Sequence, residues 1–102
     1  MVKKSLPAVL WDKSAYISLQ RIYEYIKQES PLSAEKVREE ILTTILRLPE
    51  NPEKYSPDRF KKNNRGNYRA FEKHSLRVAY KITNKEIKIL RIRHVKQEPM
   101  NY

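Results

Sequence analysis

The chain has no cysteine, a single glycine and no long apolar run, and each absence removes a class of protein. Without cysteine there is no disulfide framework, no thiol nucleophile and no thiolate metal site, which fits a reducing compartment. No apolar stretch approaches the ~20 residues of a membrane span. Residues 1–5, Met-Val-Lys-Lys-Ser, are too short and polar for a signal peptide. A cytoplasmic domain with no membrane contact is therefore expected. The two histidines, His74 and His94, are twenty residues apart, so no zinc spacing exists. No glycine-rich phosphate loop and no Ser-His-Asp spacing is visible. Neither a metal nor a cofactor is expected.

What is present is positive charge, and its distribution says more than its total. The 102 residues carry a formal net charge of +10 and suit one domain, residues 1–102, with one core. Residues 1–58 hold nine Lys/Arg and nine Asp/Glu. Residues 59–102 hold thirteen Lys/Arg against Glu72, Glu86 and Glu98, so the entire excess lies there. Segregation of this kind points to a polyanionic or strongly acidic partner more than to a merely solvated surface.

The hydrophobic pattern assigns elements along the chain. Leu6 to Trp11 is a short apolar run that suits a strand, with Pro7 at its start or on an edge. Asp12 is a fair N-cap for a helix over Lys13–Glu29, in which Ala15, Tyr16, Leu19, Ile22, Tyr23 and Ile26 form an apolar stripe. Ser30 and Pro31 end that helix and start another, which runs to about Leu48 with Ala34, Val37, Ile41 and Ile45 on one face. Pro49 opens an aperiodic stretch to Asn67 that contains Gly66, a residue suited to a backbone angle others resist. Three strands follow: Tyr68–Lys73, Leu76–Ile82 and Glu86–Val95. The expected fold is α+β: an N-terminal strand, an antiparallel helical hairpin, then a three-stranded antiparallel meander. All strands form one sheet with the helices on one face, leaving the other face to present Arg and Lys.

The candidate chemistry gathers at the basic end. Arg59, Lys61, Lys62 and Arg65 in the loop, with Arg69, Arg91 and Arg93 in the strands, form the expected nucleic-acid or target-binding set. Arg77 stands mid-strand between core residues, so its side chain points to the opposite face, where phosphate or carboxylate binding suits it. RNA cleavage needs a base for the ribose 2′-hydroxyl, an acid for the leaving oxygen and fixed cations on the phosphorane. Arg77, His94, Lys96 and Tyr102 supply those groups. His94 reads equally well as a strand-end residue with a satisfied ring.

Several of these segments also carry a resemblance. Ile22-Tyr-Glu-Tyr-Ile26, Ser30-Pro31-x-x-Ala34, Gly66-Asn-Tyr-Arg69, Leu76-Arg-Val-Ala-Tyr80 and Ile89-Leu-Arg-Ile-Arg-His94 onward to Pro99 occur in order along nearly the whole chain. The chain resembles the RelE/ParE superfamily of bacterial type II toxins. The resemblance implies a growth-inhibiting toxin held in check by a cognate antitoxin. ParE-like members poison DNA gyrase without enzymatic activity of their own, and RelE-like members cut messenger RNA on the ribosome. The Ser30-Pro31 junction and the Arg93-His94 to Pro99 ending look more ParE-like. On the RelE-like alternative, Lys61, Lys62, Arg77, His94, Lys96 and Tyr102 would fill the nuclease positions. A basic RNA-binding module with no toxicity is the reading from another class.

Overall fold

A computed structural model describes residues 6–97 and 100–102. Residues 1–5, which bear on the signal-peptide question, and Glu98 and Pro99 of the terminal motif lie outside the described residues. The element order is β1 (Ala8–Trp11), α1 (Lys13–Glu29), α2 (Pro31–Arg47), a short 3-10 turn (Leu48–Glu50), β2 (Tyr68–Lys73), β3 (Leu76–Ile82) and β4 (Glu86–His94). The α+β reading holds, with one addition. The sheet is mixed, in the order β1-β4-β3-β2: β1 pairs parallel with β4, while β2, β3 and β4 form the antiparallel meander.

Local chemistry explains the helix ends. Ser30 caps α2, its hydroxyl accepting from the Ser33 N–H at 3.2 Å, with Pro31 as the first helical residue. Asp12 occupies the N-cap position of α1, but its carboxylate makes no capping bond. Its main chain ties the helix start to the sheet instead, the Asp12 N–H donating to the Ile89 carbonyl at 2.8 Å. The Tyr23 hydroxyl on α1 donates to Glu35 on α2, with the Arg38 guanidinium over the Tyr23 ring, so the hairpin is cross-linked at its outer surface.

The core lies between the hairpin and one face of the sheet. Ala15 and Leu19 of α1 with Ile41 and Ile45 of α2 meet Leu76, Val78, Tyr80, Ile87, Ile89 and Ile92. Tyr80 is fully buried, and its hydroxyl donates to the Pro52 carbonyl at 2.7 Å, fixing the start of the long loop. Burial pushes its phenol up to about 12. A β-bulge resolves the uneven spacing of apolar residues in β4. Ala79 opposes Arg91 and Tyr80 opposes Ile89, leaving Leu90 as the extra residue. Ile87, Ile89 and Ile92 thereby all point inward despite the three-residue step between the last two. The same shift turns Arg91 and Arg93 outward.

The β2–β3 turn holds two adjacent residues at positive φ, His74 at 53° and Ser75 at 63°. Two left-handed residues in a two-residue hairpin turn match the right-handed twist of the strands, and the second position favours glycine. The Ser75 carbonyl accepts from the Val95 N–H at 2.8 Å, a bond that glycine keeps. Ser75→Gly should therefore raise stability by about 0.5–1 kcal/mol, read as a higher urea midpoint with an unchanged m value.

Candidate functional site

The face of the sheet away from the helices is not bare. Strand register sets out three rows across it: Leu10, Lys88, Lys81 and Tyr68; then Arg91, Ala79 and Ala70; then Arg93, Arg77 and Glu72. The middle row is buried at Ala79 and Ala70, at 1% and 8% exposure, although no helix lies over it. Its roof is the loop after Pro57 together with residues 100–102. Tyr102 pairs with the loop through its main chain, donating to the Phe60 carbonyl at 3.0 Å and accepting from the Lys62 N–H at 2.8 Å. Arg91 reaches up from the sheet, its guanidinium 4.1 Å from the Tyr102 ring centre and donating to the Met100 carbonyl at 2.7 Å. Burial lowers the Arg91 pKa, but arginine stays charged regardless.

Asp58 holds this roof together. It is 2% exposed, and its carboxylate accepts from Tyr102 Oη at 2.6 Å, Arg77 Nη2 at 2.8 Å and the Phe60 N–H at 3.1 Å. Burial by itself would raise the Asp58 pKa. The bonds from Tyr102, Arg77 and Phe60 outweigh it and hold the carboxyl below its usual range. Arg77 is shared with Glu72 at 2.7 Å and lies 4.8 Å from the Phe60 ring centre. Burial opposes its charge, and its two carboxylate partners more than restore it. Burial and the Asp58 carboxylate together push the Tyr102 phenol far above its ordinary value, so Tyr102 acts as a fixed donor.

The remaining residues of the expected site are dispersed. His94 opposes Leu76, which puts it on the helix-side face of the sheet while Arg77 opposes Arg93 on the other. There it lines a groove of about 560 Å3 with Arg21, Ile22, Tyr25, Ile26 and His74. At the strand end it also borders a small cleft of about 80 Å3 with Arg59, Phe60, Glu72, Arg77 and Arg93. The His94 Nδ1 accepts from the Lys96 N–H at 3.0 Å, so the neutral ring carries its proton on Nε2. Lys96 itself is exposed in the turn after β4, and Arg59, Lys62 and Arg65 are exposed on the loop. Lys61 donates to the Tyr102 main-chain oxygen at 3.1 Å and sits over the rings of Tyr68 and Tyr102.

Arg69 is placed away from the Arg77 cluster. It opposes the core residue Tyr80, so it faces the helix side, and its guanidinium binds the carbonyls of Gly66 at 2.9 Å and Tyr55 at 2.7 Å. It staples the long loop to β2. Two organising residues were not singled out from sequence. Asp58 follows Pro57 in an aperiodic stretch, where an aspartate reads as a surface turn residue. Asn64 accepts from the N–H groups of Gly66 and Tyr68 and donates to the carbonyls of Tyr68 and Asp58. Gly66 has φ of 99°, as its place in the loop suggested. Among the described residues no metal-binding group of three or more His, Asp or Glu occurs, and no helix is long and apolar enough to cross a membrane.

The architecture is that of the RelE/ParE toxins. A chain from the chromosomal ParDE toxin–antitoxin system of P. aeruginosa superposes with a TM-score of 0.69 at 21% identity, covering 87% of this chain and 96% of that one. The YoeB dimer of Staphylococcus aureus gives a TM-score of 0.57 at 18% identity, covering 88% and 98%. Likeness at these identities establishes the fold. The sequence profile described as the ParE toxin of type II toxin–antitoxin system, parDE, matches residues 9–99. The chain belongs to the ParE toxin family and is a toxin of the type II toxin–antitoxin class. No curated protein sequence matches it.

Proposed function

We propose that this toxin arrests growth by poisoning DNA gyrase and cleaves no RNA itself. The observation that carries this reading is the commitment of Arg77 and Tyr102 to the buried Asp58 carboxylate. A nuclease needs a base, an acid and uncommitted cations within reach of one phosphate. Here the cation is neutralised twice and the phenol is a fixed donor with its proton held by a carboxylate. His94 projects from the other face. The cleft that His94 shares with Arg77 and Arg93, about 80 Å3, has room for a few waters and not for a nucleotide. That shared cleft is also what favours the second reading, a RelE-like ribosome-dependent endoribonuclease, if the roof lifts on the ribosome. Induced expression in a growing bacterium tests the proposal. Growth arrest with fragmented chromosomal DNA supports gyrase poisoning, arrest with intact DNA and truncated messages supports the endoribonuclease, and unimpeded growth points to a non-toxic binding module.

The cognate antitoxin that the family implies has two surfaces to engage. One is the basic half of the chain. The other is an apolar groove of about 470 Å3 lined by Trp11, Tyr16, Leu19, Tyr23 and Leu42, with Lys13 and Arg38 among its walls. An acidic, flexible segment with apolar anchors fits both. Its association rate should fall steeply as salt rises from about 0.01 M to 0.5 M, because steering is screened within ~10 Å at 0.1 M. A stopped-flow rate indifferent to salt would refute the electrostatic part.

A further inference from the structure

The first row of the outer face, Leu10, Lys88, Lys81 and Tyr68, crosses the whole sheet in register and meets the roof at Tyr68. Lys81 and Lys88 are direct cross-strand partners, a like-charge pair that weakens a sheet. Arg77 in the covered row has Glu72 and Asp58 to offset it. Among the described residues no carboxylate pairs with Lys81 or Lys88. Glu86 shares that face two residues along β4 from Lys88. At one end of the row the Tyr68 ring holds the Lys61 and Lys81 ammonium groups at 4.7 and 5.3 Å from its centre, and the Tyr102 ring stands edge-on 6.1 Å away. Leu10 at the opposite end is 45% exposed.

We infer that this row, with Lys61 beside it, is a binding track for single-stranded nucleic acid. An anion between Lys81 and Lys88 removes their repulsion, and a phosphodiester backbone supplies anions at regular intervals. The Tyr68 ring offers a face on which an unpaired base stacks, and the lysines now over that ring are long enough to swing to adjacent phosphates. A duplex keeps its base faces stacked inside and has no use for the Tyr68 ring. The track uses neither Arg77 nor His94 and stands apart from the gyrase proposal, although it shares Lys61 with the nuclease alternative.

The test uses the purified toxin alone with a short fluorescein-labelled oligothymidylate, read by anisotropy. A duplex of equal length and heparin serve as comparators, and an oligouridylate shows whether the sugar matters. Lys81→Glu with Lys88→Glu should weaken oligothymidylate binding by at least about tenfold. Tyr68→Leu should weaken it by about fivefold or more, as expected for a lost base stack, and should leave heparin binding unchanged. Lys36→Glu, an exposed position on α2, should have little effect. Lys81→Gln with Lys88→Gln removes the repulsion without inserting acid, so it should weaken binding while leaving the thermal midpoint equal or higher. Equal affinity for heparin and single strand together with an inert Tyr68→Leu would overturn the inference, as would wild-type binding by the doubly reversed variant. Gyrase is absent from this assay, so its failure leaves the gyrase proposal standing.

Discussion

Asp58→Ala should cost about 3–5 kcal/mol of folding stability, the toll for breaking a buried charge pair from one side. The substitution leaves the Arg77 guanidinium, whose side chain is 14% exposed, with Glu72 alone, and Glu72 is half in solvent. It also strands the Tyr102 hydroxyl and the Phe60 N–H. Tyr102→Phe removes one bond of the set and should cost much less, about 1 kcal/mol. Urea denaturation of the three proteins separates these cases. The pH dependence follows from the same carboxylate. Its folded pKa lies below the unfolded value of 3.8, so its contribution is complete above that value and is lost as pH falls through the folded pKa. Wild type should therefore lose stability below about pH 4, and Asp58→Ala should show a shallower acid limb. Parallel acid limbs would show that the Asp58 bonds contribute nothing measurable.

Asn64→Ala is expected to cost about 2 kcal/mol, chiefly within the loop. One carboxamide serves four main-chain groups there, and none of Gly66 N–H, Tyr68 N–H, Tyr68 C=O and Asp58 C=O is easily satisfied by the alanine methyl. Asn64→Asp keeps both acceptor bonds and loses both donor bonds, so it should fall between wild type and alanine. Amide exchange gives the sharper reading. Protection should drop at Gly66, Tyr68 and Asp58 while the β3–β4 amides keep theirs, because the loop opens as a local unit. Uniform loss across the sheet would mean that Asn64 supports the global fold instead.

The contrast between these two residues and the core shows what the sequence carried legibly. Alternation at Leu76, Val78 and Tyr80 and the helical stripe through Ala15 and Leu19 specify their elements because burial imposes a period on them. The bounds of α1, β2 and β3 follow directly. Ser30 and Pro31 likewise act through local geometry. The site was less legible because its partners come from distant parts of the chain. Asp58 meets Tyr102 across 44 residues, with no period or spacing to announce the contact. The partial cover of the face that presents Arg and Lys was hidden for the same reason: charge counting cannot see that residues 100–102 and Phe60 fold back over it. Arg69 illustrates a subtler limit. Its parity with Phe71 places it on the helix side, yet in a basic segment the charge was the louder signal. His94 was grouped with Arg77 because both are polar strand residues near the basic end. The bulge at Leu90 resets the parity of β4, so only the register reveals that the two project from opposite faces.

Purified toxin incubated with gyrase, ATP and supercoiled plasmid, and in parallel with programmed ribosomes, tests the proposed action most directly. Gyrase poisoning predicts plasmid trapped as a cleaved, protein-linked species, with every ribosome-bound message intact. A cut in the A-site codon with no trapped plasmid would contradict it. That result would require Asp58 to release Arg77 and Tyr102 for chemistry on the ribosome.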